Sequence, residues 1–173
     1  MHQRVESKSN RQMSPPEGDL HISTEASLRD MDVAKKKLST EKLSIVVVKS
    51  QRVIFTSQAP GVRGLVDAIR KLGPSLAGST VADKVVGKAA ALLCVYAGVS
   101  RVYGCVMSEL GIEVLKRFSV PFEYDALVPN ILNRGGTGIC PFEKLVMEVS
   151  SPREAFLTVD RFLSSSPMKE TMR

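Results

Sequence analysis

A chain of 173 residues with 43% hydrophobic residues and a formal charge of +6 carries enough apolar material for one core, while two domains would be a squeeze. Its longest apolar stretch, Ala89 to Gly98, falls well short of the ~18 residues that a membrane span needs, so no membrane association is expected. Three widely spaced cysteines, Cys94, Cys105 and Cys140, are not a disulfide framework and read as thiols in a reducing compartment.

The opening segment, MHQRVESKSNRQ, is polar and lacks the apolar core of a secretory signal, which places the expected location in the cytoplasm. The basic excess is spread thinly. The longest basic run, Lys35 to Lys37, has no aromatic side chains interleaved for base stacking, which argues against a nucleic-acid partner. Residues 1–40 hold no Phe, Tyr or Trp and few branched aliphatics, so they are expected to form a disordered tail, with at most a transient helix from Thr24 to Leu38. The folded domain is expected over residues 41–164, and 165–173 as a frayed end.

Leu43 to Lys49 is a continuous β-branched run, the pattern of a strand buried on both faces. Arg52 to Ser57 pairs with it as a hairpin, although the Ser50-Gln51 turn lacks the preferred Gly or Asn. Val62, Leu65, Val66, Ile69 and Leu72 recur at helical spacing before the Gly73-Pro74 stop. Ser79 or Thr80 can cap a second helix over about Ala82 to Ala97, apolar almost all round and therefore central. Arg101 to Met107 reads as a strand, Ser108 to Phe118 as a helix capped by Ser108, and VPFEYDAL as containing a further strand. A glycine-rich loop, Asn133 to Cys140, runs into a helix beginning at Pro141, with Glu143 at its third position. Ser151 to Glu154 is a capping box for a terminal helix to about Leu163. The expected order β-β-α-α-β-α-β gives an α/β fold, a mixed sheet with helices on its faces.

Two patches look like the walls of a small-molecule site. In the first, Asn133, Arg134, Thr137 and Gly138 belong to a turn that delivers Cys140 to the start of a helix. Free N–H groups there suit a phosphate or carboxylate, and the same field would favour the thiolate of Cys140 as a nucleophile. A plain sharp turn is the alternative. The loop lacks the GK[ST] ending of a P-loop. In the second, Lys84 and Lys88 are expected on one helix face, facing an anion or an acidic partner or else simply solvent, with Asp83 in the first turn as an acid, a base or a simple cap. Met107, Ser108 and Glu109 sit where a strand end opens a helix, a usual place for ligand contacts in open α/β sheets, with a plain helix cap as the favoured alternative. Cys94 and Cys105 read as core residues. His2 and His21 lie in the tail, so no metal site and no cofactor are expected.

The segments ADKVVGKAAALL, VYGCVMSE and EYDALVPNILNRGGTGICPFEK together resemble the bacterial domain of unknown function 1893 family, over about Leu43 to Leu163. The resemblance implies a three-layer cytidine-deaminase-like fold, with about four to five strands in a mixed sheet and helices on both faces. Zinc deaminases of that fold start the second helix with His-x-Glu or Cys-x-Glu and the third with Pro-Cys-x-x-Cys. Ala82-Asp83-Lys84 and Met107-Ser108-Glu109 are expected at those places instead, so the resemblance implies a cleft that keeps polar groups but no zinc. Two functions follow. One is a metal-independent enzyme acting on a nucleotide-like or other anionic small molecule, with Cys140 as nucleophile, Asp83 or Glu109 as acid or base, and Lys84 and Lys88 on the anion. The other is a ligand-binding or regulatory module that has lost the chemistry. No motif names the substrate, and a homo-oligomer is left open because the fold class often assembles.

Overall fold

The computed structural model describes residues 17–165. Its centre is a five-stranded mixed sheet in the order β2-β1-β3-β4-β5, with β1 at Ile45–Lys49, β2 at Arg52–Ser57, β3 at Thr80–Val86, β4 at Arg101–Ser108 and β5 at Phe122–Val128. β1 runs antiparallel to β2 and β3, whereas β3, β4 and β5 are parallel and joined by helical crossovers. Helices α2 (Arg63–Leu72), α3 (Lys88–Tyr96), α4 (Glu109–Arg117) and α6 (Pro152–Ser165) pack with one face of the sheet in the main core, around Ile45, Val47, Val86, Leu92, Leu93 and Leu115. Arg70 of α2 reaches Asp160 of α6 at 2.7 Å, and Tyr96 stacks on Phe156 at 4.5 Å.

Helix α1 (Glu17–Thr40) corrects the expectation of a disordered tail over residues 17–40. Met31, Ala34 and Leu38 lie on one stripe and bury against Val46, Val48, Ala82 and Tyr103, the sheet face that the other helices leave open. The helix is also tied down by Asp30, whose two carboxylate oxygens accept from the amides of Ser50 and Gln51 at 3.0 and 2.6 Å. Those are the hairpin residues without Gly or Asn. Their φ values of 52° and 60° are those of the turn type that matches strand twist, and the buried carboxylate holds the chain there. The expectations for residues 1–16 and 166–173 lie outside the described residues.

The second correction concerns the expected helix over Ala82 to Ala97. Thr80 to Val86 is the central strand β3, and α3 begins only at Lys88. The β-branched pairs Thr80-Val81 and Val85-Val86 outweigh the helical reading of ADK, and Gly87 is the strand-to-helix turn, not a helix-interior residue. Ser79 and Thr80 therefore cap no helix. The other expected strands and helices are present, with α5 limited to Pro141–Leu145. No helix among the described residues is long and apolar enough to cross a membrane.

Candidate functional site

The parallel strands β3 and β4 end side by side, with Val86 paired to Met107, and each feeds a helix. Ser108 caps α4: its fully buried hydroxyl accepts from the Gly111 amide at 3.0 Å. The start of α3 has no cap of its own. Its free amides are met by Glu143 from α5, which accepts from Lys88 N at 2.9 Å through Oε2 and from Ala89 N at 3.0 Å through Oε1. Glu143 is only 5% exposed. It does not cap its own helix, as its third position suggests; it fills the anion site of another.

Two glycines make this fit possible. A Cβ on Gly87 would come within 2.4 Å of the Glu143 carboxylate. One on Gly111 would lie 2.8 Å from the Val86 carbonyl oxygen and 3.1 Å from Gly87 backbone atoms. Strand end, α3 start and α4 first turn are thus in backbone contact.

The expected site residues do not converge on this point. Lys84 is exposed on β3 and Lys88 opens α3, so they share no helix face. Lys88 Nζ donates to the Met147 carbonyl and borders a 150 Å³ pocket with Glu113 and Arg117. Asp83 points away from solvent, Oδ1 accepting from the Val85 amide at 3.0 Å; burial pushes its carboxyl up to about 7, against those backbone hydrogen bonds. Burial first, and then the Asp83 charge, pushes the Cys94 thiol up as well. Glu109 is exposed at the start of α4, in a groove with Tyr124 and Leu127.

The glycine-rich loop satisfies itself. Its ends are bridged at Leu132 and Ile139, Asn133 Oδ1 accepts from Thr137 N at 3.0 Å, Asn133 Nδ2 donates to Thr137 Oγ1 at 3.1 Å, and Gly138 O accepts from Asn133 N. Arg134 is exposed. Cys140 is partly exposed at the N-cap of α5, its side chain makes no capping bond, and its amide donates to Ile131 O. This is the arrangement of a tight turn. Among the described residues no three His, Cys, Asp or Glu side chains gather as a metal site.

A feature roomier than the pocket beside Lys88 was missed by sequence reasoning. Val85, Val106, Val128, Pro129, Asn130, Ile131 and Leu132 line an open, mostly apolar hollow of 570 Å³ at the carboxyl ends of β3, β4 and β5. It exists because strand alternation breaks there. Val86 and Met107 join the main core while their neighbours Val85 and Val106 face the hollow, and the Asp83–Val85 hydrogen bond marks the break. On the sheet face covered by α1, Tyr103 donates to Asp125, and Lys35 lies 4.7 Å from the Tyr103 ring centroid and 3.1 Å from Glu123. Burial, and then Asp125 and the Cys105 thiol, push the Tyr103 phenol up. The β-branched pair VV at Val85-Val86, which strict alternation cannot bury on one side, was the sequence signal.

A family model for the domain of unknown function DUF1893 matches residues 33–163. The chain belongs to that family. A crystal structure of a DUF1893 family protein from Thermotoga maritima is similar at 28% identity and a TM-score of 0.69, over 91% of this chain and 99% of that one. Two structures of Acinetobacter baumannii RibD, forms 2 and 1, match at 20% identity and a TM-score of 0.41, over 62% and 61% of this chain and 36% and 35% of theirs. No curated protein matches. The three-layer α/β architecture expected of DUF1893 is the one observed, but the register of the implied deaminase positions is corrected: Gly87-Lys88-Ala89, not Ala82-Asp83-Lys84, opens the helix.

Proposed function

We propose that this DUF1893 chain is a non-catalytic binding module whose ligand is a small amphipathic anion. The observation that carries this reading is Glu143. Helix-start amides at a strand end are where an α/β fold of this kind would hold an anionic group or a catalytic ligand, and here the chain's own buried carboxylate occupies them. The enzymatic alternative gains no support from Cys140, since among the described residues no hydrogen bond joins its thiol to an acid or base, and α5 has only 5 residues.

The hollow beside Val85 is of ligand size and predominantly apolar. Lys84, the exposed neighbour of Val85 on β3, takes part in none of the ion pairs among the described residues and would meet the ligand's charge. A module with three free thiols suits the cytoplasm.

Fluorescence titration with anilinonaphthalene sulfonate, an apolar ring system bearing one anion, tests the reading. The native protein should bind it saturably, and Val106→Asp and Lys84→Glu should each weaken binding about tenfold, a change of about 1.4 kcal/mol. Cys140→Ser should leave it unchanged. Equal binding by native protein and Val106→Asp would overturn the site. Turnover of a cytidine or nucleotide panel that is lost in Cys140→Ser would restore the enzyme.

A further inference from the structure

We propose that two copies of this chain associate about a two-fold axis through the free edge of β5, extending the sheet antiparallel from one copy into the other. The two edges of the sheet differ. The β2 edge is blunted by a bulge at Ile54, where its register with β1 shifts between Val47 and Val48, and by exposed Arg52 and Gln51. β5 runs for 7 residues in unbroken register with β4, without Pro, Gly or Lys, and among the described residues no strand pairs with its other side. Its side chains are apolar where they should not be for a solvent edge: Tyr124 is 42% and Leu127 46% exposed.

The groove between β5 and α4 argues that the occupant is a second copy. It measures 310 Å³ and is floored by Ile112, Phe122, Tyr124 and Leu127. Its charged rim is polarised along α4, with Glu109 and Glu113 toward the amino end and Lys116, followed by Arg117, at the carboxyl end. An antiparallel two-fold partner lays the carboxyl end of its α4 beside the amino end of this one, so that Glu109 and Glu113 of each copy face Lys116 of the other. A foreign strand has no reason to match that polarity; the same chain turned through half a circle matches it necessarily. Pro121 and Pro129 bound the segment that can pair, which limits the interface to β5 itself.

Sedimentation velocity of the full chain across a concentration series tests this. The native protein is expected as a dimer at micromolar concentration. Leu127→Asp, at an exposed position, should raise the dissociation constant at least about tenfold while the circular dichroism spectrum stays native. Glu109→Lys together with Glu113→Lys should raise it about threefold to tenfold, and adding Lys116→Glu to that pair should recover most of the native affinity, because opposite charges then face each other across the axis again. A native protein that stays monomeric to 100 µM or so, a dimer indifferent to Leu127→Asp, or a triple charge reversal no better than the Glu109→Lys, Glu113→Lys pair would each overturn the proposal. None of these outcomes depends on the hollow beside Val85.

Discussion

Asp83→Asn should trade stability in acid for stability in base. The carboxyl lies in the main core beside the Cys94 thiol, 6% exposed, and burial raises it from 3.8 to about 7. At about 1.4 kcal/mol for each tenfold change in proton affinity, the displacement is worth roughly 4 kcal/mol between the protonated and ionised forms. Because the folded-state value lies above the unfolded one, the native chain has its full stability below pH 4, loses it progressively up to pH 7, and changes little beyond. Asparagine cannot ionise. It keeps an acceptor for the Val85 amide but brings an amide group that must find its own partners, at a cost of about 1 to 2 kcal/mol. Urea denaturation of both proteins from pH 4.5 to 8.5 measures the difference between them, which cancels the contributions of all other titrating groups. The native advantage should vanish near pH 5, and the difference should move by roughly 3 kcal/mol in favour of the variant between pH 5 and pH 8. A difference that stays flat to within about 0.5 kcal/mol across that range would mean that the carboxyl is hydrated, and would refute the reasoning.

Glu143→Ala should cost about 3 kcal/mol by orphaning the Lys88 and Ala89 amides, and millimolar acetate should recover part of it; the thermal midpoint with and without acetate reads both effects. Gly111→Ala should destabilise by about 2 kcal/mol or more in urea, since the Val86 carbonyl at 2.8 Å is backbone and cannot step aside. Replacing Ser50-Gln51 by Asn-Gly should raise stability by about 1 kcal/mol, and should rescue part of the loss in Asp30→Ala, since both act on the same positive-φ turn.

The strands β1 and β2 and helices α2, α4 and α6 were legible because each is decided by a local pattern: a β-branched run, an i, i+3, i+4 stripe, a serine cap. β3 was not, because two charged residues interrupt it and Ser79-Thr80 mimic a cap. The deciding information is the pairing with β1 and β4, which is remote in sequence. Helix α1 has a weak stripe of its own, Met31, Ala34 and Leu38, and draws its stability from the sheet face that it covers. That face was implied. A strand such as Leu43 to Lys49, apolar on both sides, requires a second layer, and the only unassigned segment long enough to supply it was the one read as a tail.

The site failed to be legible for a related reason. Cys140 and the glycines around it are conspicuous by type, yet Asn133 and Thr137 spend their polar groups on each other, so the loop closes on itself. Glu143 carries the decisive contact and is inconspicuous, because a glutamate near a helix start has an ordinary local explanation. Its partners lie 54 and 55 residues away, and only Gly87, which has no room for a side chain beside that carboxylate, hints at the meeting. A helix start that faces a pocket keeps its amides for a ligand. One sealed by a buried carboxylate and two backbone-contact glycines is a packing element, which is why the proposed binding function is placed farther along the same strand ends, where the amides are not needed, at the apolar hollow of Val85, Val106 and Val128.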